Sequence, residues 1–285
     1  MSPLTRVPNT FGAPASGLTP DNYKFLQEFV HHESGIVLDG DKRYLLEARL
    51  MPVASSLKLP SLEELCGHLR RRPSPELRRQ VVEAMTTHET LFFRDAAVFD
   101  MLKNSLLPEV IAARQGNRTL RIWSAACSSG QEPYSLAMML MEMGLESWDI
   151  RILATDLSLQ ILERARKGLY LQIEVNRGLP VTMLVKHFTQ SGTDWQIKDH
   201  LRKMIRWEAL DLRQSLKAIG PFDLVLCRNV MIYFDIETKK TILGGIRNTL
   251  VPGGHLVLGS SETTLQLDAA FEHRPFGRVT AYRRT

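Results

Sequence analysis

Apolar residues recur at helical spacing through residues 20–85, and this part of the chain has no alternation of the kind that β-strands show. Thr19 and Pro20 are typical of a helix start, and Gly35 is typical of a helix end. Ser61 and Glu64 have the spacing of a capping box before a further apolar stretch. The pattern therefore predicts a small all-helical domain over residues 19–85.

From about residue 117 the pattern changes to short apolar strands that alternate with amphipathic helices. The strand candidates are TLRIWSA, DIRILATD, IRWEAL, FDLVLCRN, HLVLGSS and VTAYRR. Such alternation predicts an α/β fold with a mostly parallel sheet covered on both faces. Ligands of such sheets bind at the carboxyl ends of the strands, so the residues that follow each strand are the ones to inspect.

Three further segments complete the predicted organisation. Residues 169–204 interrupt the alternation and contain WQIKDHLRKMIRW, which predicts an inserted antiparallel β-subdomain. Residues 86–95 are predicted to link the helical domain to a second domain at 96–285 and to contribute to its site. The first 18 residues are rich in Pro, Ser and Gly and predict a disordered tail.

The composition indicates the cellular compartment and the class of partner that we expect for the protein. The 44% hydrophobic and 24% charged residues are ordinary for a globular protein, and no apolar run reaches membrane-spanning length. The N-terminus lacks the apolar stretch of a secretory signal, and the three scattered cysteines fit a reducing cytoplasm, where we expect them to be buried. The net charge of +5 favours acidic partners, either nucleic acid or an acidic protein surface.

The stretch RIWSAACSSGQEPYSLAMML, residues 121–140, combines a strand, a loop of small residues and a helix. Such a unit usually holds a ligand at the helix N-terminus. The loop lacks the lysine of a P-loop and has one glycine where a dinucleotide site needs three. Glu132 would repel phosphate but suits a cationic group. A nucleoside with a cationic amino-acid tail, as in S-adenosylmethionine, fits these features.

Polar residues follow the other predicted strands. Asp156 is placed to accept hydrogen bonds from ribose hydroxyls, although it could instead cap the following helix. Asp211 could meet an exocyclic amine or act as a turn residue. Arg228 and Asn229 come directly after a buried strand, where a cleft is expected, and Tyr233 follows them.

One histidine pair could suggest a metal site. His31 and His32 stand next to Glu33, but adjacent helical residues point about 100° apart, which is poor geometry for one ion. No zinc-binding motif supports the pair. We therefore expect a solvated helix end here and no metal.

Four motifs together resemble the chemotaxis receptor (protein-glutamate) O-methyltransferases, the CheR family. They are TTHETLFFRD at 86–95, WSAACSSGQEPYSLA at 123–137, ATDLS at 154–158 and FDLVLCRNVMIYFD at 222–235. The resemblance runs from about residue 20 to 284. It implies a Rossmann-like S-adenosylmethionine-dependent methyltransferase domain with a small inserted β-subdomain, preceded by an all-helical N-terminal domain.

The resemblance also implies cofactor-binding residues at the methionine end of the ligand. Thr90 and Arg94 would meet this end, with Arg94 pairing the carboxylate, and Glu132 would lie near the ammonium group. His88 stands at a position where asparagine occurs among relatives. A histidine can donate the same hydrogen bond, but its contact could depend on pH.

At the nucleoside end, the resemblance places Asp156 on the ribose and Asp211 with Leu212 facing the adenine, where the family often has Asn-Leu. Arg228 and Asn229 would close the pocket. The product of the reaction would be S-adenosylhomocysteine.

The implied activity is methyl esterification of chemoreceptor glutamates for sensory adaptation. A glutamate carboxylate is already ionised at neutral pH, with an unperturbed pKa of about 4.3, so no general base or metal is expected. The predicted catalytic residues are Arg94 and Tyr233, whose hydroxyl would orient the acceptor; the alternative for Tyr233 is a core aromatic beside Phe234. We expect a cytoplasmic monomer that binds neither nucleic acid nor the bilayer.

The receptor methylation region is an acidic helical surface, so basic residues of the helical domain are the expected substrate-binding groups. Lys42, Arg43 and Arg49 share one helical segment there. In relatives, the β-subdomain can bind a C-terminal receptor peptide as an added strand. Here the stretch at 187–198 has one glycine and is shorter than in relatives that bind this peptide, so we expect no peptide tether.

Two other classes stay open on the sequence alone. A methyltransferase of nucleic acid or of another acidic protein is compatible with the basic charge and the nucleoside-type fold. A non-catalytic scaffold that keeps the fold is the third possibility, although the joint presence of Arg94, Glu132, Asp156 and Tyr233 argues against lost cofactor binding.

Overall fold

A computed structural model describes residues 18–285, which divide into two compact units. One unit comprises residues 18–33 and 38–85, and the other comprises residues 34–37 and 86–285. The predicted disordered tail lies outside the described residues except for Leu18. That residue is buried, and its N–H donates to Glu47 at 3.1 Å.

The helical unit is built from amphipathic helices with identifiable ends. Its described helices are α1 (Pro20–Ser34), α2 (Arg43–Ser56), α3 (Leu62–Arg70) and α4 (Pro75–Met85). The Thr19 hydroxyl accepts the Asn22 N–H at 3.3 Å at the start of α1, and Gly35 follows its end with φ +75°. Leu46 and Leu50 of α2 are fully buried. The predicted all-helical domain is confirmed.

The second unit contains a sheet of seven strands among the described residues, in the order β6-β2-β1-β7-β8-β10-β9. Its strands are β1 (Thr119–Ala125), β2 (Asp149–Asp156), β6 (Ile205–Ala209), β7 (Phe222–Cys227), β8 (Leu250–Leu258), β9 (Phe271–Phe276) and β10 (Val279–Arg284). The strands from β6 to β8 are parallel, whereas β10 is antiparallel to both β8 and β9.

Helices cover both faces of this sheet, as predicted for an α/β fold. The further helices of the described chain are α5 (Ala96–Met101), α6 (Leu107–Arg114), α7 (Gln131–Glu142), α8 (Leu159–Lys167), α9 (Gln172–Val175), α10 (Val181–His187), α11 (Asp199–Arg202) and α12 (Ile236–Thr249). A π-helical turn at Leu102–Leu106 joins α5 to α6, and a 3₁₀ turn occupies Met231–Tyr233. None of the helices that the structure describes is long and apolar enough to cross a membrane.

The residues of β1 show how the two faces form separate cores. Leu120 and Ile122 pack into the cluster on one face, while Trp123 and Ala125 pack into the cluster on the other. This alternation follows from the two-residue period of a strand. Trp123 is fully buried and its indole N–H donates to the Thr155 hydroxyl of β2 at 2.9 Å, so the polar atom of the ring is satisfied.

The insertion forms a small antiparallel sheet of order β3-β5-β4, built from β3 (Leu169–Leu171), β4 (Phe188–Ser191) and β5 (Asp194–Ile197). A two-residue turn of Gly192 and Thr193 joins β4 to β5, and the φ of +63° at Gly192 suits glycine. The predicted antiparallel insertion is confirmed.

One strand of the large sheet was not predicted. Strand β9 has the sequence FEHRPF, which lacks a clear apolar alternation and contains a proline. It lies at the antiparallel edge of the sheet, where a missing backbone donor is tolerated.

Candidate active site

The loop between β1 and α7 curves tightly at the carboxyl ends of the central strands. Ala126 and Ser128 have φ of +56° and +51°, and Gly130 has φ +94°. A Cβ atom at Gly130 would lie 2.9 Å from the Trp207 ring and 3.1 Å from the Tyr170 hydroxyl, so this position needs glycine. Glycine at position 130 therefore lets the loop pass closely beside these two aromatic side chains.

Asp156 ends β2 and holds this loop in place. Its two carboxylate oxygens accept the backbone N–H groups of Ser128 at 2.9 Å and Ser158 at 3.0 Å. The side chain that caps α8 is that of Ser158, which accepts the Ile161 N–H. The carboxylate of Asp156 thus lies between two loops at the strand ends, and each of its oxygens keeps a lone pair for a ligand hydroxyl.

Arg228 directly follows β7 and is buried, with 2% of its side chain exposed. Its guanidinium lies 2.8 Å from the Glu132 carboxylate and 2.7 Å from the Asp95 carboxylate. It also donates to the Arg94 carbonyl at 2.8 Å. Arg228 therefore fastens the 86–95 linker to the N-terminal end of α7, and the third residue of this cluster, Asp95, was missed at the sequence level.

Glu132 lies in the first turn of α7, and its two oxygens are both occupied. One accepts the Ser124 hydroxyl at 2.8 Å and the other pairs with Arg228. Arg228 offsets the charge of this carboxylate, and Asp95 adds a second carboxylate beside the same guanidinium. A cationic ligand group would meet this acidic excess rather than an isolated Glu132.

The 86–95 linker is tied to the loop residues by hydrogen bonds. The Ser128 hydroxyl donates to the His88 carbonyl at 3.0 Å, and the Phe93 N–H donates to the Ser135 hydroxyl at 2.9 Å. The ring of His88 lies 2.8 Å from the Thr86 hydroxyl. These contacts hold the linker against the β1–α7 loop and α7.

Arg94 and Thr90 lie within the same linker and are half-buried. The Arg94 guanidinium donates to the Glu89 carbonyl at 2.8 Å. No carboxylate among residues 18–285 forms an ion pair with Arg94. Its remaining N–H groups can therefore bind an anionic group of a ligand, as a planar guanidinium does with a carboxylate.

Asp211 and Leu212 follow β6, next to Asp156. The Leu210 N–H donates to the Asp156 carbonyl at 3.0 Å. The Asp211 carboxylate accepts the Arg213 backbone N–H and pairs with its guanidinium at 2.7 Å, which is the turn arrangement that the sequence left open. Leu212 is 7% exposed and belongs to one of the two cores.

Asn229 has φ +57° and is held there by a residue that sequence reasoning missed. One carboxylate oxygen of Glu262 accepts the backbone N–H groups of Asn229 at 2.8 Å and Gly259 at 2.7 Å. A Cβ atom at Gly259 would lie 2.8 Å from the Asn229 side chain, so glycine permits this close approach.

Tyr233 ends the 3₁₀ turn, and its carbonyl accepts the Val37 N–H at 2.8 Å. It is half-buried, and its hydroxyl forms no hydrogen bond with any residue that the structure describes. The neighbouring Phe234, in contrast, packs against a core. Phe234 is therefore the aromatic residue that packs against the core, which was the alternative considered for Tyr233.

The predicted substrate-binding residues lie in the helical unit. Lys42 precedes α2, and Arg43 is exposed beside Asp41 at 3.6 Å, with its guanidinium over the Tyr23 ring. Arg49 is different, because its guanidinium donates to the Met85 carbonyl at 2.7 Å and is partly buried. Arg49 therefore stabilises its own unit through the end of α4.

The remaining reactive side chains do not form a site. His31 and His32 lie in the last turn of α1, and among residues 18–285 no group of three metal-ligating side chains occurs. Cys66, Cys127 and Cys227 are buried and unpaired, as predicted. Burial raises the pKa of the Cys66 thiol to about 11, and it raises the pKa of both other thiols well above the usual value.

Comparisons with known proteins agree with this geometry. A family model described as "CheR methyltransferase, all-alpha domain" matches residues 21–86, and one described as "CheR methyltransferase, SAM binding domain" matches residues 88–279. "Chemotaxis protein methyltransferase 1" of Pseudomonas aeruginosa is 43% identical over 247 residues, which is 85% of this chain and 89% of that protein. "Chemotaxis protein methyltransferase" of Vibrio parahaemolyticus is 39% identical over 261 residues, or 90% and 94% of the two chains.

Among solved structures, the comparison finds a TehB-like SAM-dependent methyltransferase from Corynebacterium glutamicum. It has 17% sequence identity and a TM-score of 0.39, and the match covers 62% of this chain and 86% of that one.

Proposed function

We propose that this chain, which belongs to the CheR methyltransferase family, transfers a methyl group to glutamate side chains of chemoreceptors, forming methyl esters. Chemotaxis protein methyltransferases up to 43% identical span most of its length. The single observation that carries the proposal is the joining of the 86–95 linker, the first turn of α7 and the end of β7 around the buried Arg228.

S-adenosylmethionine is the cofactor, since the model that matches residues 88–279 describes a SAM-binding domain. The side chains present fit this ligand. Asp156 retains acceptor positions for the ribose hydroxyls. The carboxylates of Glu132 and Asp95 would together attract the positively charged groups of the ligand. Arg94 has N–H groups for the ligand carboxylate. The loop has no lysine for phosphate, and Glu132 at the start of α7 would repel one.

The remaining predicted residues frame the nucleoside end in the proposed complex. Leu212 supplies an apolar contact for the adenine, and Asp211 stands beside it in its pair with Arg213. Asn229 closes the cleft from the end of β7 in the backbone conformation that Glu262 fixes. His88 and Thr90 border the methionine end from the linker.

The proposed methyl transfer requires mainly that the protein align the acceptor carboxylate with the methyl group. Bound S-adenosylmethionine supplies a methyl group activated by a sulfonium. The acceptor glutamate is ionised at neutral pH, so the chain has no proton to remove from it. The chain's own contribution is to orient the acceptor and to exclude water, and such orientation corresponds to effective molarities of about 10⁵ M or more.

Tyr233 is the proposed residue that orients the acceptor carboxylate. Its hydroxyl makes no bond within the described part of the chain and is half-buried, so it can donate a hydrogen bond to an incoming carboxylate. Arg94 supports the same step from the linker by holding the far end of the cofactor. Burial holds all three cysteine thiols in the protonated form, which fits a direct transfer without a covalent enzyme intermediate.

We further propose that the helical domain, residues 19–85, recognises the receptor through basic side chains. Arg43 is exposed and suited to an acidic methylation helix, with Lys42 beside it. Arg49 contributes less directly, since it is bound to the Met85 carbonyl. In this proposal residues 96–285 form the methyltransferase domain, and the chain acts as a cytoplasmic monomer on receptors rather than on nucleic acid.

The test is methyl transfer from tritium-labelled S-adenosylmethionine to two substrates, receptor-containing membranes and bulk RNA. The proposal requires label on a membrane protein that depends on Tyr233 and Asp156. Label on RNA with none on protein would replace the proposal with a nucleic-acid methyltransferase. A chain that binds the cofactor but labels neither would favour a scaffold.

A further inference from the structure

A second cleft lies at the amino-terminal ends of the parallel strands, whereas the site described above lies at their carboxyl ends. It has a volume of about 390 Å³, within the range of small-molecule sites. It opens where β7 and β8 begin, between α6 and the antiparallel strands β9 and β10. His255 in this cleft pairs with Leu224 near the start of β7, whereas Arg228 follows the end of that strand. The two sites share no residue.

Charged side chains line this cleft together with one buried histidine. They are Arg114, Arg274, Arg283, Glu109, Asp223 and His255. The imidazole of His255 is the unusual member, because the residue is 6% exposed and neither ring nitrogen has a hydrogen-bond partner within residues 18–285. A buried polar group without a hydrogen bond raises the free energy of the folded state. A ligand in the cleft that forms a hydrogen bond with His255 would remove this cost.

The guanidinium groups of the cleft differ in how firmly they are held. Arg114 is close to Asp223 at 2.6 Å, and the other oxygen of that carboxylate accepts the Arg121 N–H, so this pair is fixed. Arg274 lies 3.3 Å from Glu109, and Arg283 lies 3.5 Å from Glu272, with all four side chains partly exposed. Such exposed pairs contribute little to stability, so both arginines can turn toward a ligand at small cost.

The strand register places these two arginines beside His255. Arg283 of β10 pairs directly with His255 of β8, and Arg274 of β9 pairs with Ala281 of β10. Because side chains two residues apart along a strand share a face, Arg274 and Arg283 lie on the same face of the sheet as His255. A ligand on that face can reach both guanidinium groups and the imidazole.

We propose that this cleft binds a small oxyanion-bearing molecule, with Arg274 and Arg283 on its phosphate or carboxylate group and His255 on a neighbouring polar atom. The inference is independent of the proposed methyl transfer. Neutral imidazole offers one donor and one acceptor, so it suits a ligand with polar atoms beside the anion. Gly253 has φ +75°, and a Cβ atom there would lie 3.4 Å from the Arg283 guanidinium, so glycine leaves this side of the cleft open.

Anion binding must be coupled to the protonation of His255. Burial lowers the pKa of His255, and the positive charges of Arg274 and Arg283 lower it further, while Glu109 and Glu272 act in the opposite direction. A bound anion offsets those arginine charges and raises the pKa of the imidazole. By linkage, an anion of unchanged charge therefore binds more tightly at lower pH.

The test uses the full-length protein and follows the ring C–H resonance of His255 by NMR. Inorganic phosphate and citrate are titrated separately at constant ionic strength, and His255→Gln identifies the resonance. We expect saturable shifts, a raised pKa for His255 and about a tenfold weaker affinity in Arg274→Gln and Arg283→Gln. Arg166→Gln, which loses an exposed ion pair with Glu163 on α8, is the matched control and keeps the wild-type affinity.

The two probes also distinguish the source of the anion. Binding of phosphate alone identifies a phosphate ester as the ligand class, and binding of citrate alone identifies a carboxylate. An unmoved His255 resonance with both probes, or equal weakening in the Arg166→Gln control, would overturn the proposal. If either cleft variant is poorly folded, the wild-type protein decides, because an anion bound beside His255 must raise the pKa of its imidazole in the NMR titration.

Discussion

The guanidinium of Arg228 lies 2.8 Å from the carboxylate of Glu132, across 96 residues of sequence, with only 2% of the arginine side chain exposed. The same group contacts Asp95 at 2.7 Å. Removing one member of such a buried pair leaves the other charge without compensation, whereas removing both is far less damaging. The arrangement therefore contributes to the stability of the unit that contains the proposed cofactor site.

Replacing Arg228 with methionine should destabilise the protein by about 3–5 kcal/mol, since two carboxylates lose their partner. Chemical denaturation measures this effect. The double variant Arg228→Met with Glu132→Gln should recover part of the loss. As a control, Arg247→Met removes a more exposed pair with Asp268 and should cost less. Equal losses in Arg228→Met and Arg247→Met would contradict the role given to the buried cluster.

Replacing Asp156 with alanine should weaken binding of S-adenosylhomocysteine by about 1.5–3 kcal/mol per hydrogen bond to the charged group. The same change frees the N–H groups of Ser128 and Ser158, so some loss of stability accompanies it. Calorimetry measures the affinity. Asp149→Ala, at the exposed start of the same strand, is the control and should bind normally. Wild-type affinity in Asp156→Ala would refute the ribose assignment.

Replacing Tyr233 with phenylalanine should lower kcat and leave the affinity for S-adenosylhomocysteine unchanged. Only the hydroxyl is lost, and that hydroxyl makes no bond within the described chain. Steady-state kinetics with receptor membranes, together with calorimetry, separates the two effects. An unchanged kcat would mean that another group orients the acceptor.

Replacing Arg43 with glutamate should raise the KM for receptor without altering cofactor affinity. The effect should shrink with added salt, because exposed charges are screened over about 8 Å at physiological ionic strength. Lys24→Glu, which reverses an exposed charge on α1, serves as the control. Arg49→Glu does not separate receptor binding from stability, since it also breaks the hydrogen bond to the Met85 carbonyl. A KM that stays constant in Arg43→Glu would move receptor recognition to another surface.

The β-subdomain should not bind a C-terminal receptor peptide. The two-residue turn at Gly192 and Thr193 and the four-residue strand β4 leave a short edge for an added strand. Titration of the full-length protein with a peptide containing Trp and Phe checks this expectation. Micromolar binding, equivalent to about −8 kcal/mol, would contradict it.

Stability should fall as the pH drops below about 6.5, the usual pKa of histidine. Burial lowers the pKa of both His187 and His255, so the unfolded chain takes up protons before the folded chain does. Between the unfolded and folded pKa values, each such group reduces the free energy of unfolding by up to about 1.4 kcal/mol per pH unit. Denaturation of His255→Leu across this window should show a shallower slope, and a slope equal to that of the wild type would contradict the role given to His255.

The sequence was informative wherever function depends on residues at strand ends. Three features could be predicted: the strand that ends in Asp156, the small-residue loop and the polar pair after β7. The hydrophobic period and the residues that end each element are local properties of the sequence. The contacts of Arg228 could not be, since Asp95 lies 133 residues away and adopts a φ of +61° that local propensity disfavours. Glu262 was missed for the same reason, because its role is to accept backbone N–H groups brought together by folding.

The most direct measurement is the identity of the bond formed on the receptor. Purified enzyme, labelled S-adenosylmethionine and receptor membranes are incubated, and the labelled receptor is digested and analysed by mass spectrometry and mild alkali. The account predicts a methyl group on glutamate that alkali releases as volatile methanol, and less of this label with Tyr233→Phe at short times. An alkali-stable methyl group, or one on a residue other than glutamate, would contradict it.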